Sequence, residues 1–142
     1  MAKRTGSAVW QGDLKDGKGT FKVGSGAFEG AYSFSTRFED QPGTNPEELI
    51  AAAHASCYSM AFANGLAKAG FTPDSVNTTA NVTFEKVEAG WRITNIHLVC
   101  EAKVPGIDAE AFASQAEAAK TGCPISNALK AVDITLDAKL VN

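Results

Sequence analysis

The chain has 142 residues, 44% of them hydrophobic and 20% charged, with a formal net charge of -3. That length suffices to bury a core, and neither the charge nor any dense Lys/Arg run offers a footprint for nucleic acid. No stretch approaches the ~18 apolar residues of a membrane span, and Met1 to Gly6 lead into no apolar segment of a secretory signal. The expected location is therefore the cytoplasm, away from the membrane.

Ala8 to Gly12 reads as a short strand, followed by a polar, glycine-rich turn from Asp13 to Gly19. Thr20 to Val23 resumes as a strand. Tyr32 to Phe38 reads as a third, with Tyr32, Phe34 and Thr36 alternating against Ser33, Ser35 and Arg37. After the loop Asp40 to Thr44 comes a strong helix start. Asn45 suits the N-cap, Pro46 the first helical position, and Glu47 and Glu48 the first turn, where acids complement the helix dipole. Glu48 also stands where a capping box places its acid. This helix is expected to run to about Lys68, with Gly70 as the C′ residue. From Ile50 to Ala63 it consists mostly of Ala and Ser with almost no charge on any face. The pattern predicts burial all round, which in so short a chain implies a second subunit.

Two longer strands follow, Val76 to Val87 and Trp91 to Val104, joined by Glu88-Ala89-Gly90. In the second, Ile96, Leu98, Cys100, Ala102 and Val104 share an apolar face. Asp108 caps a helix to about Lys120, and Thr121-Gly122 end it. Cys123-Pro124 open a short helical turn to Lys130, and Asp133 to Leu140 is a last strand. The order βββ-α-ββ-α-α-β makes an α+β domain.

Three cysteines in a chain without export signals argue against a disulfide scaffold. Cys100, between Leu98 and Ala102, reads as a core residue. Cys57 sits mid-helix, beyond reach of the helix dipole, where burial raises a thiol's pKa. It reads either as a small apolar packing residue or as a nucleophile that needs a cation brought to it. Cys123, just before Pro124, suits an N-cap, where amides and the dipole favour a thiolate. His54 lies one turn from Cys57, so a zinc site from His54, Cys57 and Cys123 is a further reading, disfavoured because no fourth ligand is evident. His54 otherwise reads as a packed or solvent-edge histidine.

The favoured cation is Arg37, which Glu47 would orient through a bidentate pair. Both residues also have plain readings, a solvated arginine and a first-turn acid. Glu47 and Cys57 are ten residues apart, about 15 Å along a straight helix. Either the helix breaks near its start, or Glu47 acts on Cys57 of a second subunit. The small-residue helix favours the second, a two-fold dimer with composite sites.

The run from Gly43 to Cys57 closely resembles the family of osmotically inducible protein C (OsmC) and the organic hydroperoxide resistance (Ohr) proteins, as does Gly122-Cys123-Pro124-Ile125-Ser126. The likeness covers essentially the whole chain, including Trp10-Gln11-Gly12, Thr36-Arg37-Phe38, Gly70-Phe71-Thr72-Pro73 and Val104 to Asp108. Asn-Pro-Glu-Glu, His54 and Arg37 resemble the OsmC branch. The resemblance implies that residues 1–142 form a single peroxidase domain with a long buried central helix, in an intertwined homodimer. It implies Cys57 as the peroxidatic cysteine, Cys123 as the resolving one, and Arg37 with Glu47 as the activating pair. The chemistry expected is attack of a Cys57 thiolate on an organic hydroperoxide, a sulfenic acid, and a Cys57–Cys123 disulfide reopened by a thioredoxin-like or lipoyl dithiol. It requires no metal, haem or flavin. Tyr58, Met60 and Phe38 are candidates to line the pocket. Rival readings are a redox sensor without turnover and a purely structural Cys57–Cys123 bridge.

Overall fold

The computed structural model describes residues 1–142, which divide into two compact units, Met1–Leu49 and Ile50–Asn142. In the first unit, β1 (Gly6–Gln11), β2 (Lys18–Val23) and β3 (Glu29–Tyr32) form an antiparallel sheet in the order β1-β2-β3. Gly19 on β2 faces Trp10 on β1 and Tyr32 on β3. The two rings close over it with centroids 5.5 Å apart. A Cβ at Gly19 would lie 2.6 Å from the Tyr32 ring and 2.8 Å from Trp10, so only glycine admits this cross-strand pair.

The expected strand from Tyr32 to Phe38 is corrected here: β3 stops at Tyr32, and Phe34–Phe38 form a short helix, α1. Ser33 is its N-cap, accepting from the Thr36 N–H at 3.3 Å while Thr36 Oγ1 accepts from the Ser33 N–H at 2.9 Å. That reciprocal box satisfies two amides that an extended chain would leave unpaired. Phe34 and Phe38 then stack one turn apart, ring centroids 4.9 Å.

The long helix α2 (Pro46–Lys68) starts as its sequence predicts, with Asn45 Oδ1 accepting from the Glu48 N–H at 2.9 Å. It ends in a Schellman motif. Gly70, at φ 94°, donates to Ala67 O, and Phe71 donates to Leu66 O.

The second unit holds most of α2, then β4 (Ser75–Val87), β5 (Gly90–Lys103), α3 (Ala109–Gly122), α4 (Pro124–Ala128) and β6 (Asp133–Leu140). β5 lies between β4, antiparallel to it, and β6, parallel to it. A parallel neighbour demands a crossover, and α3 with α4 supplies it. Tyr58, Phe62 and Leu66, four residues apart on α2, share one core with Ile96, Leu98, Cys100 and Ala102 of β5, Val104 just after it, and Phe112, Ala116 and Ala119 of α3. The apolar face read from β5 is thus the buried face. On α2 itself the buried residues are Glu47, His54 and that stripe. Ala52, Ala53, Ser56 and Met60 stay exposed in the single chain, so burial all round is not met within one copy. No helix is long and apolar enough to cross a membrane.

Candidate active site

Two constellations carry the residues singled out from sequence, one in each unit. In the first, α1 and the start of α2 bring Arg37 to Glu47. Arg37 Nε donates to Glu47 Oε1 at 3.1 Å and Oε2 at 3.3 Å, and Nη2 donates to Oε1 at 2.9 Å. Asn45 ties the two segments together, its Nδ2 donating to Thr36 O at 2.9 Å while its Oδ1 caps α2. The Glu47 side chain is only 10% exposed against 36% for Arg37, so the carboxylate anchors the pair and the guanidinium forms its outer end. A bidentate pair of this kind fixes the plane and direction of the positive charge.

In the second unit, α2 and α4 bring Cys57 to Cys123. Both are free thiols, Cys57 half-buried and Cys123 fully buried. Burial pushes the Cys57 thiol up, and its hydrogen bond with the Cys123 side chain adds to that. The Ile125 N–H acts against both, donating to the Cys57 sulfur. Cys123 does occupy the N-cap of α4, but its side chain makes no capping bond. The helix-end amide expected to serve Cys123 is directed to Cys57 instead. Pro124 at the first helical position has no N–H, so the Ile125 amide is the first one free to point outward.

One turn back from Cys57 on α2, His54 is fully buried, with Nε2 2.6 Å from Ser126 Oγ on α4. Its Nδ1 is buried without a hydrogen-bond partner. Burial holds the imidazole's pKa below its ordinary 6.5, so the ring is neutral near neutral pH. His54 is therefore a packed histidine, not one at the solvent edge. No group of three or more His, Cys, Asp or Glu side chains is arranged to hold a metal ion. Cys100 lies in the core, as its alternation predicts, with the Thr78 hydroxyl as partner. Tyr58 is also core, fully buried with its hydroxyl donating to Ala116 O at 3.1 Å, whereas Met60 is 76% exposed.

Sequence reading missed the Ile125 amide and Ser126. The signal for the first was present, since Cys-Pro at a helix start leaves the next amide unsatisfied. Nothing local marked the second. α2 runs unbroken from Pro46 to Lys68, without the break near its start that was one of the two expectations.

The family model described as OsmC-like protein matches residues 38–137. The chain is 54% identical over 138 residues to Peroxiredoxin OsmC of Escherichia coli (strain K12), covering 96% of each, and equally to Peroxiredoxin OsmC of Shigella flexneri. Among solved structures it resembles an organic hydroperoxide resistance protein OsmC from Legionella pneumophila, with TM-score 0.75, 22% identity and coverage of 98% and 99% of the two chains. It also resembles the Organic Hydroperoxide Resistance Protein OhrB of Bacillus subtilis, with TM-score 0.72, 24% identity and coverage of 95% and 98%. These two likenesses speak for the fold. With its α+β architecture and a sequence match spanning nearly the whole chain, the protein belongs to the OsmC-like family.

Proposed function

We propose that residues 1–142 act as one thiol-dependent peroxidase domain that reduces organic hydroperoxides, and hydrogen peroxide more weakly. The observation that carries the reading is the contact between the Cys57 and Cys123 thiols. Family membership and the naming of the 54% identical relatives as peroxiredoxins support it. The Cys57 thiolate attacks an oxygen of ROOH; with one proton taken up, ROH leaves and Cys57 becomes a sulfenic acid. The Cys123 thiol then displaces water from that sulfur, forming the disulfide. A dithiol reopens it by exchange and is itself left as a disulfide. Cys57 is the partly accessible sulfur of the two, which suits it to meet the peroxide first.

Burial disfavours the Cys57 thiolate, and a single amide is a weak counterweight. The Arg37–Glu47 pair supplies the missing positive charge in this scheme, acting on Cys57 of a second copy. The distance along α2 and the exposed small and apolar residues of that helix support a homodimer with composite sites.

The test is to mix purified protein with an alkyl hydroperoxide or hydrogen peroxide and a thioredoxin-like or lipoyl dithiol, and follow peroxide loss. Catalytic consumption, faster with the alkyl substrate, is expected. Loss that stops after one equivalent identifies instead a sensor that oxidises without turnover.

A further inference from the structure

His54 has no part in that chemistry, yet it occupies the most deliberate polar position in the second unit. It is fully buried, Ser126 is 3% exposed, and the two side chains meet at 2.6 Å. One imidazole nitrogen is left buried without a partner, which costs stability. An apolar residue of similar size would pack this point without that penalty, so packing alone does not explain a histidine here.

Its placement is informative. His54 is one turn before Cys57 on α2, and Ser126 is three residues after Cys123, inside α4. The hydrogen bond and the thiol contact are therefore two neighbouring links between the same two helices. α4 is only five residues long, with Cys123 at its N-cap. Forming the disulfide requires the two sulfurs to close to about 2.05 Å with a restricted torsion. Whatever fixes α4 against α2 sets how Cys123 makes that approach. The depressed basicity of the buried ring keeps this link a neutral hydrogen bond near neutral pH.

We propose that His54 and Ser126 are positioning residues for the resolving step, their hydrogen bond pinning α4 to α2 so that Cys123 closes productively on an oxidised Cys57. The proposal rests on the two-cysteine reading above, but its test does not need peroxide turnover. Mixed with an aromatic disulfide that releases a coloured thiolate, reduced protein reports two steps. Cys57 attacks first, releasing one thiolate and forming a mixed disulfide. Cys123 then attacks the Cys57 sulfur, releasing the second thiolate and closing the protein disulfide.

Ser126→Ala and His54→Leu are expected to slow the second release about tenfold, as a misplaced reacting group does, with the first release within about twofold of the parent. The double variant is expected to be no slower than either single one, because both remove the same bond. His54→Gln, which keeps a hydrogen-bonding side chain, is expected to recover most of the rate. Melting of the reduced variants checks the fold, and Ser126→Ala, the loss of one oxygen, carries the test if His54→Leu does not fold. A parent-like second release in Ser126→Ala overturns the proposal. So do equal slowing of both releases, additive effects in the double variant, and a parent with no second release at all. A parent that closes its disulfide quickly yet consumes no peroxide overturns the peroxidase reading and leaves this one standing.

Discussion

The Arg37–Glu47 pair and the Cys57–Cys123 pair are built on opposite physical principles. The first is ionic, held by three charge-assisted hydrogen bonds at the capped start of α2, with its guanidinium partly in solvent. The second joins two free thiols where α2 meets α4 beside the apolar core, and burial raises the pKa of Cys57. The contrast teaches that a sulfur kept protonated by its surroundings is protected from stray oxidants. In the proposed scheme its activation falls to the Arg37 guanidinium of a second copy.

Replacing the sulfur is the harshest way to test that division. Cys57→Ser is expected to lower peroxide turnover by about a thousandfold or more, while Tm stays within about 4 °C of the reduced parent. Large destabilisation with peroxide chemistry intact would make the pair a structural bridge instead. Cys123→Ser is expected to keep the first oxidation and accumulate a Cys57 sulfenic acid, detectable by mass spectrometry after trapping.

Removing the charge is next. An opposite charge shifts a thiol's pKa by about one to three units, so Arg37→Ala is expected to slow peroxide attack about 10- to 1,000-fold at pH 7. Because burial alone raises the Cys57 pKa, the variant's rate is expected to keep climbing with pH where the parent's has levelled. A variant as fast as the parent sinks the activation scheme and leaves the two-cysteine assignment untouched.

Mixing sharpens the same comparison. Arg37→Ala and Cys57→Ser chains, unfolded together and refolded at equal ratio, are expected to regain about a quarter of parent activity if the charge acts across a two-fold dimer. Half the dimers are then mixed, each with one intact site. No recovery places the charge and the sulfur in one chain. The smallest effect concerns His54. Its folded pKa lies below the ordinary 6.5, so as pH falls through that value the unfolded chain takes up a proton that the folded chain refuses. Stability contributed by this site is full above pH 6.5 and declines below it, until the folded imidazole protonates too. Parent Tm is therefore expected to fall more than that of His54→Gln between pH 7 and 5.

Much of the fold was legible because its signals are local. Asn45 before Pro46, Gly70 after Lys68, Asp108 before α3 and the alternation along β5 each decide a nearby hydrogen bond or a face. The segment from Phe34 to Phe38 misled because five residues fit either a two-residue or a helical period. The Ser33–Thr36 box, read first, would have decided it. At the site, Arg37 and Glu47 were legible as a pair because their partnership needs only two nearby backbone segments. The contact of Cys57 with Cys123 came from family resemblance, since nothing in their spacing requires it.

By itself the sequence determined where helices and strands start and stop, and which stripe of each is apolar. Those features follow from hydrogen bonds and side-chain periodicity within a few residues. Only the tertiary structure decided that the Ile125 amide turns to Cys57 rather than to Cys123, and that His54 meets Ser126. Both depend on how α4 docks on α2 from far along the chain. That docking is fixed by the crossover between β5 and β6 and by the shared core, which no local pattern encodes.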